Sequence, residues 1–198
     1  MSAEMFWALA AFSFASSVTP GPNNMMLLAS GVNFGFRRSI PHMLGIGIGF
    51  VFLMLCIGLG LGQLLDRLPA LHAVLKIAAA GYMLFLAWKI ANSGPLEEKT
   101  GSAAPMTFMQ AAAFQWVNPK AWFMALTAVS LYTVPANYSV TLLVSALVFG
   151  AINLPTVSLW CGMGTLVRHL LTNPATLKIF NVAMAILLVA SLWPMLTG

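Results

Sequence analysis

The sequence predicts an all-α integral membrane protein with six transmembrane helices arranged as two inverted-topology repeats of three helices. Hydrophobic residues make up 60% of the chain and charged residues only 7%, whereas an ordinary soluble domain has about 25% charged residues. The 198 residues can hold six spans of about 20 residues with short loops. Proline motifs interrupt the first and fourth spans at matching positions. We therefore expect one transmembrane transporter domain that covers residues 1–198.

Long apolar runs mark the spans, and one polar stretch divides them into two groups. We predict helices at about 5–29, 40–63, 70–91, 107–131, 139–165 and 177–196. The stretch 92–106 contains turn residues and two of the chain's four acidic residues, as a solvated linker does. It separates a first repeat at about 5–91 from a second repeat at about 107–196.

The first span contains a helix-breaking motif, Thr-Pro-Gly-Pro-Asn-Asn, at residues 19–24. Proline lacks an amide donor and clashes with the preceding turn, and glycine relaxes the backbone. In hydrocarbon each freed carbonyl and amide needs a partner. Such a break persists only where it is buried in protein or lines a cavity, so it indicates a pathway through the membrane.

The second span shows a helix start and a face of small residues. Ser39 precedes Ile40 and Pro41, which predicts an N-cap followed by a first-turn proline. Glycines at 45, 47 and 49 form a small-residue face that favours close helix packing. The same face would also permit a homo-oligomer.

The fourth span contains a second break, Asn118-Pro119-Lys120, which lies 99 residues after Pro20. Each half of the chain has three spans, and because three is odd, the second half would insert upside down relative to the first. Inverted repeats of this kind bring matching broken helices together near the midplane of the bilayer. We therefore expect the two breaks to form one site.

Lys120 is the one charged residue deep inside a predicted span. An ammonium group at that depth costs about 2.5–3.5 kcal/mol or more on insertion scales. Either it snorkels or binds carbonyls freed by Pro119, or it faces a wet cavity and binds an anionic group. All four acidic residues lie at span ends or in loops. This argues against a metal-cation site, a carboxylate-based proton pump and a hydrolase, and no cofactor or enzymatic activity is predicted.

These residues together favour a receptor for a zwitterion. Amides at the two half-helix N-termini and the Lys120 charge suit a carboxylate, while asparagines and freed carbonyls can accept from an ammonium. A neutral substrate side chain is favoured because no buried carboxylate is available. The predicted substrate-binding residues are Thr19, Pro20, Gly21, Pro22, Asn23, Asn24, Asn118, Pro119 and Lys120. Trp116 and Trp122 flank Lys120 and are candidates to line the cavity, with ordinary packing as the alternative.

The motifs at 19–23 and 118–120, together with Gly35-Phe36-Arg37-Arg38-Ser39 and the stretch 81–89, resemble those of the LysE/RhtB family of amino-acid exporters. The resemblance spans both halves of the chain. It implies a small bacterial inner-membrane exporter of amino acids or their derivatives, driven by the proton gradient. Lys120 is the first candidate for proton coupling, because a buried lysine readily changes its protonation state, and His42 is the second.

The basic residues predict the orientation. With the N-terminus outside, six of them, including Arg37, Arg38 and Lys89, lie on the cytoplasmic side and only Arg67 and Lys76 lie outside. Both termini are then periplasmic. The expected partners are an amino acid and the lipid bilayer, and nucleic acid is excluded because the basic residues do not cluster. The alternatives are an inorganic cation or metal exporter, and a membrane enzyme or assembly factor.

Overall fold

The chain folds into helices, as predicted. The computed structural model describes residues 1–62, 69–93, 104–171 and 173–193, and within them it contains eight α-helices and no strand. The helices are α1 (Ala3–Val18), α2 (Pro22–Phe34), α3 (Ile40–Cys56), α4 (Pro69–Ala91), α5 (Phe108–Phe114), α6 (Pro119–Tyr132), α7 (Tyr138–Arg168) and α8 (Pro174–Ala190). A π-helical segment, Ile57–Leu61, extends α3.

Both predicted breaks are present. The backbone is extended at Thr19 and Gly21, between α1 and α2. It is extended again at Asn118, between the short α5 and α6. Pro22 and Pro119 each stand in the first turn of the helix that follows. Proline is favoured at that position because a first-turn amide has no intrahelical acceptor to lose.

Several helix boundaries differ from the prediction for local reasons. α2 continues past residue 29 to Phe34, where Gly35 ends it with a left-handed φ of 79°. α8 begins at Pro174 rather than 177, because the Asn173 side chain caps the amide of Ala175. The predicted N-cap role of Ser39 is wrong. Its hydroxyl donates to the Gly35 carbonyl oxygen at 2.9 Å and makes no capping bond. Residues 94–103 of the predicted linker and 194–196 of the sixth span lie outside the described residues.

Two helical runs, Arg37–Leu61 and Pro135–Arg168, are each long and apolar enough to cross a membrane. The breaks divide the predicted first and fourth spans into shorter helices, such as α1 with 16 residues and α6 with 14. Large apolar side chains point away from the bundle on several helices, including Leu59, Leu166 and Ile186. An apolar outer surface of this kind suits contact with lipid.

Helix α7 is central to the packing and contacts α1, α2, α3 and α6. α3 also contacts α5 and α6, and α4 packs against α8. α2 and α7 touch backbone to backbone at Gly31 and Gly164. A Cβ atom on Gly164 would meet the Leu28 carbonyl, and one on Gly31 would meet the Cys161 carbonyl. These two helices reach this distance only because neither glycine has a side chain.

Two of the three glycines predicted to form one small-residue face of α3, Gly45 and Gly49, pack closely against α5, whereas Gly47 faces Leu154 of α7. A Cβ atom on Gly49 would lie 2.6 Å from Cα of Ala112, and one on Gly45 would lie 2.7 Å from Cβ of Ala111. The prediction that these glycines allow close helix packing is therefore confirmed. Because α5 ends at the second break, this contact also fixes where that break lies in the bundle.

Candidate functional site

The Lys120 side chain joins the two breaks. Its Nζ donates to the Thr19 carbonyl oxygen at 2.6 Å, to Thr19 Oγ1 at 2.8 Å and to the Pro20 carbonyl oxygen at 3.4 Å. Its acceptors therefore come from the first break and not from the carbonyls near Pro119, which were one of the alternatives left open for this ammonium group. Gly21 leaves room for this arrangement, because a Cβ atom there would lie 2.7 Å from Lys120 Cδ.

A pair of side-chain amides forms a second link between the breaks. Asn23 Nδ2 donates to Gln115 Oε1 at 2.9 Å, and Gln115 Nε2 donates back to Asn23 Oδ1 at 3.2 Å. Both residues are buried. The sequence analysis missed Gln115. Its one available signal was that it is a polar residue in an apolar span, three residues before Asn118.

Asn24 and Asn118 each satisfy backbone groups at their own break. Asn24 Nδ2 donates to the carbonyl oxygens of Ser17 and Thr19, both at 2.8 Å. Asn118 caps α6, because its Oδ1 accepts from the Lys120 amide at 3.1 Å. These side chains supply the partners that an interrupted helix needs in an apolar surrounding.

A small polar pocket lies between the breaks. Its volume of about 10 Å³ is room for about one water molecule, so an amino acid enters only if the helices move apart. The lining residues come from α1, α2, α6 and α7 and from both breaks: Ser16, Ser17, Gly21, Asn23, Asn24, Asn118, Lys120, Met124, Asn153 and Val157. Five of the nine predicted substrate-binding residues are among them.

The other predicted residues lie around this pocket. Thr19 and Pro20 form the first break and supply carbonyls, while Pro22 and Pro119 begin α2 and α6. The two tryptophans lie outside the pocket. Trp122 Nε1 donates to the Trp116 carbonyl oxygen at 2.9 Å, and the Trp116 ring packs against a phenylalanine of α3. Both belong to an apolar cluster between α3, α6 and α7.

Asn153, near the middle of α7, was not predicted. Its Nδ2 donates to Ser17 Oγ at 3.0 Å, whereas its buried Oδ1 has no hydrogen-bond partner among the described residues. A buried acceptor without a partner costs about 1–3 kcal/mol. The pocket therefore offers one open acceptor to a ligand. An amide two residues before Pro155, inside an apolar span, is the sequence signal that could have found it.

His42 lies apart from this pocket. It is buried in α3, and neither of its ring nitrogens has a hydrogen-bond partner among the described residues. It lines a second cavity with Lys89. The two predicted proton-coupling residues therefore do not share one pocket.

A family model described as LysE type translocator matches residues 14–191, which include both breaks. The chain belongs to the LysE type translocator family. It is thus a membrane transporter and not an enzyme, as its resemblance to LysE/RhtB exporters implied.

Curated relatives of this LysE type translocator carry a more specific description. The cysteine/O-acetylserine efflux protein of Escherichia coli strain K12 is 32% identical over 136 residues, which are 69% of this chain and 68% of the relative. The protein of the same name from Shigella flexneri is 33% identical over the same length, with the same shares of both chains. No solved structure matches the chain.

Proposed function

We propose that this LysE type translocator exports amino acids or amino-acid derivatives with neutral side chains across the bacterial inner membrane, driven by the proton gradient. The observation that carries the proposal is the contact between the Lys120 ammonium and the Thr19 and Pro20 carbonyls. A cation opposite a set of carbonyl acceptors is complementary to a zwitterion. The substrate carboxylate would bind Lys120, and the substrate ammonium would bind the carbonyls that Lys120 releases.

The surroundings of the pocket favour the same orientation. α2 and α6 both begin beside it, and the positive ends of their dipoles attract a carboxylate. Asn153 Oδ1 is open to accept a hydrogen bond from the substrate ammonium. The pocket admits an amino acid only when the two breaks separate, and the breaks can separate only when the contact of Lys120 with Thr19 is broken. We call this contact the latch.

A neutral substrate side chain agrees with the lining of the pocket. The lining residues include no carboxylate that could pair with a cationic side chain. The relatives are named for cysteine and O-acetylserine, both of which have uncharged side chains in their usual forms. These two compounds are therefore our first candidates for the substrate.

Lys120 remains our first candidate for proton coupling. A protonated amine holds the carbonyls of the first break, and loss of the proton would remove most of that attraction, so the latch would open. His42 stays the second candidate. It lies in a separate cavity beside Lys89, where it would act on a different step of the cycle.

We also propose that the eight α-helices form six membrane spans in two inverted repeats. The pattern of contacts supports this arrangement: α1 contacts α7 as α5 contacts α3, and α2 contacts α7 as α6 contacts α3. The basic residues favour periplasmic termini. Alkaline phosphatase fused to the C-terminus should be active. If the C-terminus instead supports the activity of a reporter that functions only in the cytoplasm, this topology is wrong.

The export of amino acids can be tested in vesicles that contain the protein and are loaded with radiolabelled O-acetylserine, cysteine or lysine. We expect faster efflux of the two neutral compounds than of lysine, and loss of this efflux when a protonophore collapses the gradient. Efflux of no amino acid above that of protein-free vesicles would contradict the proposal.

The alternative of an inorganic cation exporter has less support, because the pocket presents an ammonium group and amides. None of the described residues that line it has a carboxylate, thiolate or imidazole. Metal-dependent rescue of growth by this protein, without amino-acid efflux, would favour it.

A further inference from the structure

A second cavity lies between α2, α3, α4 and the segment before α5. Its volume of about 40 Å³ is room for about three water molecules. The cavity leads inward from the surface, since Ala104 is exposed and Lys89 and Ser93 are half-buried, whereas His42 is fully buried. Its lining residues are Met26, Ala29, Ser30, Asn33, Phe34, His42, Leu86, Lys89, Ile90, Ser93, Ala104, Pro105 and Met106.

The buried serine and asparagine in the wall of this cavity already have partners. Ser30 Oγ bonds to Ser39 Oγ at 2.7 Å. Asn33 exchanges two hydrogen bonds with Asn181 of α8, at 2.8 and 3.1 Å. These bonds tie α2 to the turn that precedes α3 and to α8, so these side chains are already occupied.

Two groups of the wall are left to bind an occupant. Both ring nitrogens of His42 lack partners among the described residues, and a neutral imidazole offers one donor and one acceptor. The Lys89 ammonium has no hydrogen bond or ion pair with any residue in the described part of the chain. A fully buried imidazole nitrogen carries an energetic cost when it has no hydrogen-bond partner. A polar occupant would remove that cost.

We infer that this cavity is a cytoplasmic vestibule that binds the carboxylate of the amino-acid substrate before it reaches the breaks. The carboxylate would accept from the Lys89 ammonium and from the N–H of His42. This inference rests on the proposed export function and on the proposed orientation, in which Lys89 faces the cytoplasm.

The position of the vestibule fits this order of binding. Asn33 lines the vestibule and Asn23 lines the pocket between the breaks. Both belong to α2, ten residues apart, which corresponds to about 15 Å along the helix. Among the described residues that line the vestibule, Lys89 is charged and none is acidic. The Lys89 ammonium attracts an anionic group.

The test uses inside-out vesicles, in which uptake of radiolabelled O-acetyl-L-serine measures export. We expect Lys89→Met to raise KM about tenfold, because a charge-assisted hydrogen bond is lost, and Lys89→Arg to restore most of the affinity. Lys178→Met is the matched control. Lys178 is an exposed lysine near the same end of the bundle, it bonds to the Ala91 carbonyl oxygen at 2.7 Å, and it does not line the vestibule.

A competitor without a carboxylate separates binding from a general structural defect. The methyl ester of O-acetylserine should inhibit wild-type uptake much less than the free acid does. In the Lys89→Met variant, this difference should shrink. Unchanged KM and unchanged discrimination in Lys89→Met would overturn the vestibule and leave the export function intact. No uptake of any amino acid by the wild type would contradict the proposed function and, with it, this inference.

Discussion

The contact between α2 and α7 provides a sharp test of the packing that positions the site. α2 carries Asn23 and Asn24, and α7 carries Asn153. In the substitution Gly164→Ala, the new Cβ atom would meet the Leu28 carbonyl oxygen at a distance that real Cβ atoms essentially never show. It would also lie 3.0 Å from the Leu28 carbonyl carbon and 3.1 Å from the Val32 amide nitrogen.

The expected cost follows from the kind of atom that blocks the methyl group. All three obstructing atoms belong to the backbone of α2, so a rotamer change cannot relieve the clash and the helices must move apart. Overpacking of a tight interior typically costs about 1–3 kcal/mol, and we expect the upper end of this range. Alanine also gains about 1 kcal/mol over glycine in helix propensity.

Gly162→Ala is the matched control, because it lies on the same helix and its Cβ atom would meet nothing within 4 Å. The propensity gain is common to both variants and cancels when they are compared. We therefore expect Gly164→Ala to unfold with a free energy about 3 kcal/mol lower than that of Gly162→Ala. Unfolding in mixed micelles, followed by circular dichroism as the fraction of denaturing detergent rises, measures this difference. Equal stability of the two variants would refute the backbone contact between α2 and α7.

Three further substitutions test the links between the breaks. Asn23→Ala or Gln115→Ala should each destabilise the protein by about 1–3 kcal/mol, because each leaves a buried amide without its partner. The double variant should cost less than the sum, and additive costs in a double-mutant cycle would show that the amide pair is not coupled. Gly21→Ala should leave stability nearly unchanged, because only the flexible Lys120 side chain must move. It should slow efflux per folded molecule, and a wild-type efflux rate would argue against the Lys120 latch.

The breaks could be predicted from sequence because proline acts locally. Pro22 and Pro119 lack the amide that a continuous helix needs, and both therefore begin new helices. The pairing of the breaks also followed from sequence, through their matched positions in two halves. The contact of Lys120 with Thr19, 101 residues away, has the same origin, although the sequence left open whether the ammonium binds carbonyls near Pro119 or faces a wet cavity.

Other features of the site depend on contacts that no local pattern encodes. Gln115 pairs with Asn23 across 92 residues, and Asn33 pairs with Asn181 across 148. A single amide in an apolar span has no spacing that identifies its partner. The tryptophans show the opposite error, because they were predicted as candidates to line the cavity and lie outside it. Trp116 and Trp122 are neighbours of Lys120 in sequence, but the chain turns at Asn118 and their rings join the apolar cluster instead.

We propose that the two breaks and Lys120 form the substrate site. Exchange of radiolabelled O-acetyl-L-serine across proteoliposomes tests it most directly, with Lys120→Met compared against the exposed-lysine variant Lys178→Met. We predict that Lys120→Met loses exchange by about tenfold or more, since it removes the charge that would bind the carboxylate, while Lys178→Met exchanges as the wild type does. If Lys120→Met and Pro20→Ala both exchanged at the wild-type rate, the two breaks and Lys120 would not form the substrate site.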